Sequence, residues 1–125
     1  MSEWRVIRNA KTDEVVLARA KLCASFWSHF KGLQFSPRLP ADEGLLFVTK
    51  HEGRSHTAIH MFFVFFPIAV VWLDGQGFVV DQALAKPWHP YYAPARPAQY
   101  FIEADPQLLE RVAVGDRLHF DEVAR

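Results

Sequence analysis

RSHTAIHMFFVFFPIAVVWLDG, residues 54 to 75, decides how this chain is read. It opens on two histidines four apart, continues through an apolar aromatic block, and ends in Asp-Gly. Three readings compete: a membrane segment, a metal site leading into a core, or the central strands of a small β domain. From Thr57 to Leu73 there is no Asp, Glu, Lys or Arg, but this run falls short of the ~20 apolar residues of a spanning helix. Pro67 lies inside it, where a helix would lose a hydrogen bond and gain a steric clash. Its Phe, Val, Ile and Trp residues favour strands, and Asp74-Gly75-Gln76-Gly77 is a turn signal ahead of a second apolar run, FVVDQAL. Strands are therefore expected at about 57–65, 68–73 and 78–84, with Pro67 at a bend between the first two. Strands apolar on both faces belong inside a sheet that is covered on both sides.

Outward from that centre, the pattern remains β. EWRVIRN (3–9) and EVVLAR (14–19) read as an opening hairpin around a polar AKTD turn. GLLFV (44–48) reads as a buried strand, QYFIEA (99–104) is the next strand after the proline-rich loop, and VGDRLHF closes the chain with a turn at Gly115-Asp116 and a last strand. Two short helices are expected. In the first, Leu22, Phe26, Phe30 and Leu33 share a face, Ser25 is the N-cap of a helix over about 25–31, and Gly32 ends it. The second is DPQLLERV, with Asp105 as N-cap and Pro106 at the first helical position. The fold class is thus mainly β, with an α+β margin: a curled antiparallel sheet, sandwich or barrel-like, in a single domain over 1–125.

Composition narrows the function classes. Fourteen basic and fourteen acidic side chains balance, so no global field draws the chain to nucleic acid or to an anionic membrane. A single cysteine, Cys23, excludes an intrachain disulfide, and the charged start MSEWRVIRNAKTDE is unlike a secretory signal. The expected location is cytoplasmic. There is no phosphate loop, nucleophile elbow or cofactor motif, so no cofactor is expected. Cys23 precedes the first expected helix, whose N-terminus would favour a thiolate, yet LCASF is an apolar setting that suits a buried, inert thiol better.

The ordered set KGLQF (31–35), LPADEGLLFV (39–48), IHMFFVFFPIAVVWLD (59–74), GFVV (77–80), KPW (86–88), PAQYFIE (97–103) and VAVGDRL (112–118) resembles the small bacterial and archaeal proteins grouped as domain of unknown function one-nine-two. That resemblance implies a mainly β fold with one or two short helices and implies no activity. His60, Asp74, Trp88, Glu103 and Asp116 match the family pattern. Similar proteins tend to carry Arg near position 65 and Asp near 69, where this chain has Phe65 and Ala69. After the Gly-Leu pair they carry Met and then Arg, where this chain has Gln34 and Ser36. A polar site around Pro67, if the family has one, lacks its charges here.

The candidate sites are few. His51, His56 and His60 lie within ten residues, beside Glu52. On one continuous strand His56 and His60 would point the same way roughly 13 Å apart at ~3.3 Å per residue, too far to share an ion. They are weak metal candidates, because zinc needs three or four ligands and HExxH is absent. His60 is a weak catalytic candidate that would need Asp74, Asp81 or Glu103 to orient it and tune its basicity. Otherwise it is a hydrogen-bonded packing residue. The most suggestive element is AKPWHPYYAPARPA (85–98), with four prolines and three large aromatics. Trp88, His89, Tyr91, Tyr92 and Arg96 combine flat apolar faces with polar tips, which suits a small ligand or a peptide. Its competing reading is a loop that caps the sheet with its aromatics. The leading functional expectation is a non-catalytic binding module. The alternatives are a hydrolase built on His60 and a carboxylate, metal-assisted or not, and a structural protein that buries exposed aromatics in a homodimer.

Overall fold

The computed structural model describes residues 4–23, 42–54, 66–87 and 92–122. Seven strands form one sheet: β1 (Trp4–Asn9), β2 (Val15–Cys23), β3 (Glu43–Gly53), β4 (Ile68–Leu73), β5 (Val79–Ala85), β6 (Ala98–Ala104) and β7 (Leu118–Glu122). Their order across the sheet is β5-β4-β6-β3-β2-β1-β7. The expected strand at 57–65 and the expected helix at about 25–31 lie outside the described residues. Leu22, assigned to the apolar face of that helix, is instead part of β2 and packs against the interior cluster.

β4 is where the opening stretch resolves. Pro67 precedes it, Asp74-Gly75 follows it, and all six of its residues are buried. Ala69, Val71 and Leu73 join an inner cluster with Ile7, Leu17, Leu46, Ile102 and Leu118. Ile68, Val70 and Trp72 join an outer one with Leu45, Phe47, Ala98 and Phe101. The two-residue side-chain period of a strand thus sends alternate residues to two separate cores. Burying each Val, Ile or Leu is worth roughly 1.5–3 kcal/mol, so both faces hold the strand in place. Among the described residues, no helix is long and apolar enough to cross a membrane.

Five neighbouring pairs are antiparallel, β1/β2, β1/β7, β3/β6, β4/β5 and β4/β6. The expected mostly antiparallel sheet carries one parallel pair: β2 and β3 run parallel, with Arg19 opposite Glu43 and Cys23 opposite Phe47. A parallel neighbour cannot be reached by a tight turn, so the chain between them must cross over. The sheet curls until its two edges meet at one antiparallel bridge, Phe78 to Arg117. Val79 N–H donates to the Asp116 carbonyl at 2.8 Å and Leu118 N–H to the Gly77 carbonyl at 2.9 Å. Gly77 permits this approach twice over. Its φ of +89° suits a residue without a side chain, and a Cβ there would stand 2.7 Å from the Leu118 carbonyl oxygen.

The turns follow their sequence signals. Asp74 Oδ1 accepts from the Gln76 and Phe78 amides at 2.9 and 3.0 Å, which closes the β4–β5 hairpin. Asp116 Oδ2 accepts from the Ala113 amide, beside Gly115 at φ +99°. Asp105 caps the helix as expected, accepting from the Gln107 amide at 3.0 Å with Pro106 following. That helix is a five-residue 3-10 turn, Pro106–Glu110, whose Leu108 plugs into the inner cluster.

Candidate functional site

The proline-rich segment connects β5 to β6. Both strands are antiparallel to β4, which lies between them. They are therefore parallel to each other, and their connection must cross over β4. Of this connection, Lys86 and Pro87 and then residues 92–97 are described; Trp88, His89 and Tyr91 lie outside the described residues.

Three side-chain bonds pin the crossover. Tyr92 Oη accepts from the Lys86 amide at 2.8 Å, while its ring packs against the outer cluster. Asp81 Oδ2 accepts from the Ala95 amide at 2.8 Å, and Asp81 is the cross-strand partner of Trp72 on β4. Arg54, just past β3, donates from Nε to the Pro94 carbonyl at 2.8 Å. Pro94 is buried, whereas Ala95, Arg96 and Pro97 are exposed in sequence. The tip is held from three directions and offers a cationic side chain to solvent. Proline contributes by fixing φ, which leaves the segment fewer alternatives to lose.

The carboxylates named as partners for His60 take different positions, and His60 and His56 themselves lie outside the described residues. Asp74 holds the hairpin amides and Asp81 the crossover, so each already has a backbone-binding role. Glu103 differs. It is fully buried, the one buried charged side chain among the described residues. On β6 it lies directly between Leu45 of β3 and Val70 of β4, both members of the outer cluster. Two residues along, Phe101 stacks on Phe47 with ring centroids 4.6 Å apart. An acid among such neighbours is costly unless it is compensated, which makes Glu103 the chemically conspicuous residue of the outer face. His51 continues β3, with Glu52 after it; Glu52 Oε2 accepts from the Gly75 amide at 2.7 Å. Cys23 ends β2, and the helix expected after it lies outside the described residues. Among the described residues, no three His, Cys, Asp or Glu side chains gather in a way that holds a metal ion.

One concavity had no advance notice in the sequence. A shallow groove of about 370 Å³ opens where the curled sheet ends, lined by Ala10, the 75–77 turn, Tyr100 and residues 117–120. Its walls come from four segments distant in the sequence, which no local pattern connects.

The sequence profile of DUF192, described as Uncharacterized ACR, matches residues 6–120. A UPF0127 protein of Thermococcus sibiricus is 31% identical over 115 residues, covering 90% of this chain and 73% of that protein. A UPF0127 protein of Pyrococcus furiosus is 32% identical over 118 residues, covering 92% of this chain and 97% of that one. Among solved structures, a Sinorhizobium meliloti 1021 protein with a provisional transcription-regulator label superposes with a TM-score of 0.80. It covers 96% of both chains at 20% identity, a likeness that speaks to the fold alone. Through a profile that spans nearly all of the curled sheet and relatives matched along most of their length, the chain belongs to the DUF192 family.

Proposed function

We propose that this protein is a non-catalytic binding module that takes a peptide or a small molecule on its proline-rich crossover. The observation that carries this reading is the pinning of residues 92–97 by Tyr92, Asp81 and Arg54. A loop held only to cover β4 needs its buried contacts, which Tyr92 and Pro94 supply. It does not need its exposed tip fixed by separate bonds to β5 and to the end of β3. A surface ordered before binding loses less entropy when a partner arrives. Arg96 stands exposed on that tip and, among the described residues, makes no ion pair. A guanidinium so placed suits a carboxylate, held through paired N–H donors. The preferred ligand is therefore acidic, with a flat apolar group to suit an aromatic-rich connection.

The test uses an array of short peptides that pair Asp or Glu with Phe, Tyr or Trp, read by fluorescence anisotropy. Arg96→Glu is expected to weaken the best binders about tenfold or more. Its stability should stay within about 0.5 kcal/mol of the parent, as for an exposed substitution. An array without binders, or binders indifferent to Arg96→Glu, would overturn the reading.

A further inference from the structure

The groove at the end of the curled sheet has the parts of a site, and neither the crossover nor the family assigns it a role. Tyr100 of β6 and Phe120 of β7 meet across the interior edge-to-face, with ring centroids 5.4 Å apart and planes at 69°. These strands are separated by β3, β2 and β1 in the sheet order, so the pair exists only because the sheet curls. Leu118 and Ala10 extend the apolar wall, and the Gly75–Gly77 turn forms one side. Its volume of about 370 Å³ falls within the range of small-molecule pockets.

Arg117 sits on the rim. Its Nε donates to the Gln76 carbonyl at 3.0 Å, and its guanidinium lies 5.3 Å from the centre of the Phe78 ring. Those two contacts hold the planar group while leaving its terminal nitrogens for a ligand. No carboxylate among the described residues lies at ion-pair distance from it. Acids of the adjoining turns and strand are engaged elsewhere: Asp74 accepts from the Gln76 and Phe78 amides, Asp116 from the Ala113 amide and Glu52 from the Gly75 amide, and Asp121 pairs with Arg8. His119 is exposed on the same rim. An apolar aromatic wall with a positioned cation at its lip is complementary to a flat ring bearing one negative charge.

We propose that this mouth is a second binding site, for a small planar aromatic carboxylate, with its ring against Tyr100 and Phe120 and its carboxylate on Arg117. The site shares no residue with the crossover, so either can fail without the other.

Benzoate is the probe, titrated into nitrogen-15-labelled protein and followed by amide chemical shifts. Saturable shifts are expected at Gly75, Gly77, Tyr100 and His119. Acetate, which lacks the ring, and benzamide, which lacks the charge, should each bind about tenfold more weakly or worse. Arg117→Gln should lose about the same factor, and Arg117→Lys, which keeps the charge without the planar fork, should lose less. The inference is overturned if those amides stay still at millimolar benzoate, if acetate matches it, or if Arg117→Gln retains full affinity.

Discussion

Replacing Gly44 with alanine is expected to lower stability by about 3 kcal/mol, from the general cost of overpacking a filled site. A Cβ at this position would stand 2.6 Å from the Glu103 carbonyl oxygen, 2.9 Å from Leu17 Cδ2 and 3.0 Å from Ala104 Cβ. None of these can retreat cheaply. The first two belong to strands on either side, with Gly44 opposite Ala20 in the parallel ladder and Ala104 in the antiparallel one, and Leu17 is itself fully packed. Relief requires moving β3 away from a neighbour, which breaks ladder hydrogen bonds or opens a void. Urea denaturation of Gly44→Ala reads the effect as a fall in midpoint at constant slope. A variant within about 1 kcal/mol of the parent would mean that the strands do not approach as described.

The second large effect is expected at Trp72. This side chain is 1% exposed and occupies the centre of the outer cluster, flanked in register by Phe101 and Asp81. Trp72→Ala removes the largest fully buried side chain among the described residues, and comparable truncations cost about 3–5 kcal/mol through lost burial plus the cavity left behind. Leu84 is the control. It lies on the adjacent strand but is 45% exposed, so Leu84→Ala should cost well under half as much. Equal losses at the two positions would contradict a sheet covered on this face. A near-neutral Trp72→Ala would do so more directly.

β4 was legible residue for residue because its signals agreed. Apolar side chains fill both parities of IAVVWL, Pro67 bars extension on one side, and Asp74-Gly75 supplies a turn on the other. Asp105-Pro106 was legible for a similar local reason, since a cap needs only its own side chain and the amide two residues on. What could not be read was set at a distance. Nothing within VVLARA distinguishes a strand that pairs parallel with β3 from one that pairs antiparallel, because the choice belongs to the crossover between them. β3 also runs past GLLFV through Gly53, since ladder bonding to β6 continues after the apolar signal has ended.

The candidate site divides along the same line. Tyr92 and Arg96 were identified from residue type, and the structure places the first on the outer cluster and the second on the exposed tip. Asp74, read both as a turn residue and as a partner for His60, and Asp81, read as such a partner, hold backbone amides, while His60 lies outside the described residues. Glu103 gave no local sign of its burial. In QYFIEA it alternates with Gln99 and Phe101 as a half-exposed strand residue would, and its burial depends on neighbours remote in the sequence, with Leu45 and Val70 flanking it on the adjacent strands. The Tyr100–Phe120 mouth is farther still from the reach of pattern, because curling brings together segments twenty residues apart.

Amide hydrogen exchange at Lys86 and Ala95 tests the central claim most directly, because the binding reading depends on the crossover being held before any partner arrives. Both amides end on side-chain acceptors, Tyr92 Oη and Asp81 Oδ2, at 2.8 Å. Slowing by about a hundredfold relative to an unstructured peptide is the predicted result at both positions. Loss of the Ala95 protection alone should follow Asp81→Ala. Exchange of both amides in the free protein at the rate of an unstructured peptide would contradict the account, leaving a loose covering over β4 rather than a prepared surface.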